Sequence, residues 1–271
     1  MTDKGTPGFC IFCGSRPTTR EHLLPSWLRI PLVQRVGGHK PSIHGTRRVD
    51  GTLRLRHQKR PFDSYEWVAC HDCNSGWMQR LDSERKDLLK RLVLSEHAAT
   101  PLDEGAQELL ARWITKLDMV WDWVKENHPN LEGPAVSIGP AQRAAFFERQ
   151  EIPADQRIWI GANSSTQIWR TVRMVHAPFF RIRSVEEVAD RAHPDAHWAT
   201  YAVGGLCFQV LGTNGVDVSP IDLPSGLPMA QIWPYIAPVD FPGPGTMDDA
   251  VLSRLAHWID PTKVDPFSPA E

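Results

Sequence analysis

The sequence predicts an α+β fold in two parts, residues 1–97 and residues 98–271. Three observations carry that prediction. Two Cys-x-x-Cys pairs, Cys10/Cys13 and Cys70/Cys73, bracket a set of extended segments in the first part. A long stripe of apolar residues at helical spacing then runs from Leu109 to Val124. From about residue 130 the pattern changes to strands with short helices, and the composition change at residues 95–103 marks the boundary.

In the first part, Phe9-Cys10-Ile11-Phe12-Cys13 reads as a strand turning into a knuckle, with Gly14 easing the backbone away from the cysteines. Arg20 to Pro25 reads as a short extended segment, and Ser26-Trp27-Leu28 opens a helical turn. Asp50-Gly51 is a hairpin signal between strands at residues 43–49 and 52–56. A third extended piece, residues 65–69, leads into Cys70. After Asn74, the apolar positions Trp77, Leu81, Leu88 and Leu92 define one face of a helix to about Leu94.

In the second part, Thr100-Pro101-Leu102-Asp103 resembles a capping box. The helix it starts carries Leu109, Leu110, Trp113, Ile114, Leu117, Val120, Trp121 and Val124, and stops before Pro129. That stripe reads as core or as a domain interface, since nothing about it requires a ligand. A short helix is expected over residues 141–150, then strands over 157–161, 166–176 and 198–211. A Pro/Gly-rich crossing over residues 219–245 precedes a last helix capped by Thr246-Met247-Asp248-Asp249.

Composition and charge narrow the function classes. Met1 to Phe9 lacks a signal-peptide pattern and no run of 18 apolar residues occurs, which predicts a soluble, cytoplasmic protein with no membrane partner. In a reducing compartment, paired Cys-x-x-Cys motifs are better explained by zinc than by disulfides. Cys207, alone in an apolar run, reads as a core residue. The chain's net charge of -2 conceals an asymmetry: residues 1–60 carry 12 Lys and Arg against 3 acids. Within that block, Arg47, Arg48, Arg54, Arg56, Lys59 and Arg60 form a basic hairpin suited to a polyanion, or else a solvated face.

Cys10, Cys13, Cys70 and Cys73 suffice for a closed tetrahedral zinc site, a staple with no open position for catalysis. Such a staple would pin Glu21-His22 against the helix starting at Asn74. On an extended strand Glu21 and His22 point to opposite faces, so a bend or bulge is needed for both to reach one site. Two oxygen ligands, with water and phosphate completing the sphere, suit Mg2+ or Mn2+ better than zinc. His22 would then accept a proton from water near neutral pH. Each residue also has a plainer reading: His22 as a turn-capping histidine, Asn74 as a helix cap, Trp27 and Trp77 as core. His71 reads as exposed, and His39, His44 and His57 as phosphate contacts or solvated side chains.

Cys10-x-x-Cys13, Glu21-His22 and Cys70-x-x-Cys73-Asn74 together resemble the HNH (ββα-metal, His-Me finger) endonucleases, in their zinc-stapled branch. Glu-His-Leu-Leu-Pro-Ser-Trp with Cys-Asn-Ser-Gly-Trp-Met-Gln-Arg-Leu is similar to a subgroup found in bacterial and prophage genomes. The resemblance covers about residues 8–95 and implies an N-terminal ββα-metal domain with a zinc staple and a basic hairpin insertion. It implies His22 as general base, Glu21 and Asn74 as ligands of a catalytic Mg2+ or Mn2+, and the four cysteines as the structural Zn2+ site. DNA phosphodiester hydrolysis to 5'-phosphate and 3'-hydroxyl ends would follow. Two departures from the pattern stand out: many relatives have Asp where Glu21 stands, and 56 residues separate Cys13 from Cys70.

Two further readings compete. The first is a zinc-stapled nucleic-acid-binding module that does not cleave. The second is a nuclease effector of a phage-defence or toxin system, controlled by a C-terminal domain that binds a regulatory partner or a second copy of the chain.

Overall fold

The computed structural model describes residues 8–16, 18–35, 42–47, 53–58, 65–94, 99–126, 137–166, 172–179, 196–213, 227–243 and 245–256. Its architecture is mixed α+β. In chain order the elements begin with β1 (Thr18–His22), α1 (Ser26–Arg35), β2 (Ser42–Arg47), β3 (Leu53–Gln58) and β4 (Tyr65–Cys70). Next come α2 (His71–Cys73), a π-helical turn (Asn74–Met78), α3 (Gln79–Glu84), α4 (Lys86–Leu94), β5 (Thr100–Leu102), α5 (Glu104–Glu126) and α6 (Pro140–Arg149). The remainder is β6 (Arg157–Asn163), β7 (Val172–Phe179), β8 (Ala196–Val203), β9 (Leu206–Thr213), β10 (Ala230–Trp233), β11 (Val239–Phe241), β12 (Thr246–Met247) and α7 (Asp249–Ala256).

The chain forms two compact units, neither of them continuous: Met1–Lys86 with Arg112–Ile152, and Asp87–Ala111 with Pro153–Glu271. A single cut after residue 97 therefore does not describe the division, because the second half of α5 and all of α6 belong with the cysteine pairs. The apolar stripe of α5 explains this. Trp113, Ile114, Leu117 and Val120 are buried, and Trp113 bonds to Asp82 of α3 within the first unit.

Within the first unit, β1 and β4 pair antiparallel with an irregularity between Thr19 and Arg20. Phe9 to Cys13 is a turn and not the expected strand end. It is tied down by Ile11 N–H donating to the Val68 carbonyl, while Gly14 takes a left-handed φ of 72° on leaving the knuckle. Trp77 packs edge-on against Phe12 at 5.0 Å and Phe146 at 5.7 Å between ring centres. Trp77 is thus core, as expected. β2 and β3 form the expected antiparallel hairpin, pairing Arg47 with Leu53 and His44 with Arg56. The Asp50-Gly51 turn itself lies outside the described residues.

The helix expected from Trp77 to Leu94 is interrupted. Arg85, at φ -105° and ψ 1°, ends α3, and its guanidinium donates to the Leu81 carbonyl at 2.7 Å. Thr100 is in a strand, so the cap of α5 is Asp103, whose Oδ1 accepts from Ala106 N–H. Asp248 plays the same part for α7, accepting from Val251 N–H.

The second unit is built on a six-stranded sheet with the order β10-β6-β9-β8-β7, in which β12 also joins β6 in parallel. The segment expected as one strand over residues 198–211 is a hairpin, β8 and β9, turning at Gly204-Gly205. Every residue of both strands is buried. On one face Trp198, Ala202, Cys207 and Leu211 pack with Met247, Leu252 and Leu255 of the C-terminal segment. Among the described residues, no helix is long and apolar enough to cross a membrane.

Candidate metal centre

Two chain segments deliver the four predicted cysteines. The 10–13 knuckle is closed by Cys10 N–H to the Ser15 carbonyl and Gly14 N–H to the Cys10 carbonyl, both at 2.9 Å. Cys70 ends β4 and Cys73 ends α2, so the second pair sits at a strand-to-helix junction. All four Sγ atoms lie within 4.8 Å of one another, and Cys13 and Cys70 approach to 3.5 Å. Tetrahedral zinc with Zn–S bonds of about 2.3 Å requires sulfurs about 3.8 Å apart, so the set fits that ion. No disulfide forms among them.

The surroundings of the thiols are unequal. Burial works against ionisation of Cys13, but hydrogen bonds from Ser15, Cys70 and Cys10 outweigh it and bring its pKa down to about 7. Burial raises the Cys70 and Cys73 thiols; Cys10 and Cys13 add to the shift at both, while Cys73 opposes it at Cys70. A bound dication supplies the positive charge that four clustered thiolates need.

Asn74 follows Cys73 directly and opens the kinked helical turn Asn74–Met78. Its Nδ2 donates to Thr19 Oγ1 at 3.0 Å and to the Arg20 carbonyl at 2.9 Å. Thr19 Oγ1 in turn donates to the Ala69 carbonyl at 3.0 Å, so three segments are clasped at one point. Both Nδ2 protons are used, which turns Oδ1 the opposite way. The chain kinks here at Gly76, whose φ of -93° and ψ of -108° are not helical, and Trp77 and Met78 beyond the kink are buried.

β1 presents its residues alternately. Glu21 is buried, whereas Arg20 and His22 are exposed on the other side of the strand. The irregularity lies before Arg20, so it does not bring Glu21 and His22 to one face. The Arg20 guanidinium lies 5.5 Å from the ring centre of Trp67, its partner across the strands. His71 is exposed, as expected, and its Nδ1 lies 3.3 Å from Ser75 Oγ.

Glu21 has a partner that the motifs do not show. Lys116 of α5 places Nζ 3.6 Å from Glu21 Oε1 and 2.8 Å from Asp82 Oδ1, and Trp113 Nε1 donates to the same Asp82 oxygen at 3.1 Å. Burial pushes the Glu21 carboxyl up to about 7; Lys116 opposes that shift and Asp82 adds to it. For Lys116, burial disfavours the charge, yet Asp82 and Glu21 together hold its pKa above the ordinary lysine value. One signal was present in sequence: Lys116 stands three residues after Trp113 and four before Val120, on the side of α5 that carries the apolar stripe.

Of the basic residues expected to face a polyanion, Arg47, Arg54 and Arg56 lie on β2 and β3. Arg48, Lys59 and Arg60 lie outside the described residues, as does His39. No family model, no curated protein and no solved structure matches this chain.

Proposed function

We propose that this chain is a metal-dependent HNH endonuclease that hydrolyses DNA phosphodiester bonds, with β1, β4 and the helical turn after Cys73 forming its ββα-metal unit. The observation that carries this reading is the clasp of Asn74 on Thr19 and Arg20. Through it, a four-cysteine centre is joined to the strand that presents His22 to solvent.

In this reading the cysteines hold zinc as a staple, and all four sulfurs are committed to it. His22, on the exposed side of β1, takes a proton from the attacking water. Asn74 through Oδ1 would hold Mg2+ or Mn2+, joined by the Glu21 carboxylate only if it turns from the buried side of β1, where Lys116 engages it; the ion would supply positive charge for the phosphate and the leaving oxygen. Arg47, Arg54 and Arg56 of the hairpin, with Arg48, Lys59 and Arg60, would lie along the DNA backbone. The second unit would bind a regulatory partner or a second copy of the chain, and the protein would work in the cytoplasm.

A second reading is favoured by one observation, the engagement of the Glu21 carboxylate by Lys116. It makes the chain a zinc-stapled nucleic-acid-binding module without cleavage. Plasmid nicking with Mg2+ or Mn2+ separates the two. The nuclease reading expects nicking that His22→Ala reduces by about 10²–10⁴-fold. Binding of the plasmid without nicking, unchanged by His22→Ala, would overturn it in favour of the second.

A further inference from the structure

Lys116 belongs to none of the sequence motifs, yet it is 1% exposed and its ammonium lies between Asp82 and Glu21. The two contacts differ. Asp82 accepts a hydrogen bond from Nζ at 2.8 Å and another from Trp113 Nε1, so it is firmly held. Glu21 meets the ammonium only at 3.6 Å. One ammonium thus serves two carboxylates, Glu21 buried and Asp82 partly buried, an arrangement in which further positive charge is favourable. Glu21 is the more weakly compensated of the two and the one next to His22 in the chain.

We propose that Lys116 is a positioning residue for Glu21 and competes with a divalent cation for its carboxylate. In metal-free protein the ammonium holds Glu21 in place; when the cation binds, Glu21 changes partner while Asp82 retains Lys116. The inference rests on the reading of Glu21 as a metal ligand. It also gives residues 112–152 a part in the site, through α5.

The test is Mn2+ titration of the full-length, zinc-loaded chain by calorimetry, with plasmid nicking measured in parallel. Lys116→Met removes the competing charge and is expected to bind Mn2+ about tenfold or more tightly. Asp82→Asn leaves the whole ammonium charge to Glu21, so its Mn2+ affinity is expected to fall. Glu21→Gln is expected to abolish both differences. Opposite shifts from two variants of one cluster are not what loss of packing produces. If Lys116→Met does not fold, the fall in Asp82→Asn decides. Unchanged affinity in both variants, with wild-type protein that binds Mn2+ and nicks DNA, would overturn this inference and leave the nuclease reading standing. Tighter Mn2+ binding by Lys116→Met in a chain that never nicks DNA would support the inference and overturn the nuclease.

Discussion

Asn74 donates from Nδ2 to the carbonyl of Arg20 at 2.9 Å, and the residue after Cys73 thereby fixes the backbone beside Glu21 and His22. Asn74→Ala removes this bond and the one to Thr19 Oγ1. Each such bond contributes about 0.5–1.5 kcal/mol, so chemical denaturation should show a loss of about 1–3 kcal/mol. Nicking should fall by about 10–100-fold, the usual effect of disturbing the groups around a metal. A stability loss with full nicking activity would separate the clasp from the chemistry.

Thiol chemistry reports on the four-cysteine site without reference to activity. Cys207 is fully buried, its Sγ lies 3.0 Å from the Gly161 carbonyl, and burial raises its pKa, so it stays protonated and shielded. A thiol reagent should find no rapidly reacting cysteine in zinc-loaded protein. After a chelator strips the ion, the four clustered cysteines should react, and Cys207 should join them only in denaturant. Elemental analysis should give one zinc per chain, and its removal should destabilise the first unit, whose two cysteine-bearing segments it would join.

Truncation tests the discontinuous division of the chain. A fragment ending at residue 97 lacks Trp113 and Lys116, both of which bond to Asp82, and Phe146, which packs on Trp77. It leaves Asp82 and Glu21 without their shared cation, a change that typically costs about 3–5 kcal/mol for a buried pair. That fragment should be unfolded or aggregated by circular dichroism, even with zinc. A fragment of residues 1–152 retains the whole first unit and should melt cooperatively.

What could be read in advance follows from how local each feature is. The clustering of the cysteine pairs was legible because two Cys-x-x-Cys motifs are a local pattern suited to a metal ion, and the hairpin of β2 and β3 because its turn signal is a dipeptide. The Glu21–Lys116–Asp82 cluster was not, since its members come from three separate segments and only the packed fold brings them together. The break at Arg85 was hidden by an apolar face that continues through Leu81, Leu88 and Leu92 on both sides of it. The β8–β9 hairpin was hidden differently. Both strands are buried throughout, so apolar residues run through the turn and alternation gives no boundary.

That hairpin supplies a final prediction, in the second unit. Gly212 of β9 pairs with His197 of β8, and a Cβ at Gly212 would lie 2.1 Å from His197 Cε1 and 2.7 Å from Nδ1. The glycine is required by this close approach, because the imidazole occupies the place of a side chain. His197 is 3% exposed and paired on both sides within the sheet, so the ring has no open route outward. Gly212→Ala should therefore destabilise the sheet by about 1–3 kcal/mol, the usual cost of overpacking. His197→Ala alone opens a cavity, but in combination with Gly212→Ala the new methyl enters that space. Thermal unfolding of the two single variants and the double variant should show the double more stable than the sum of the single losses predicts. Simple additivity would mean that the His197 ring is not what the new methyl meets.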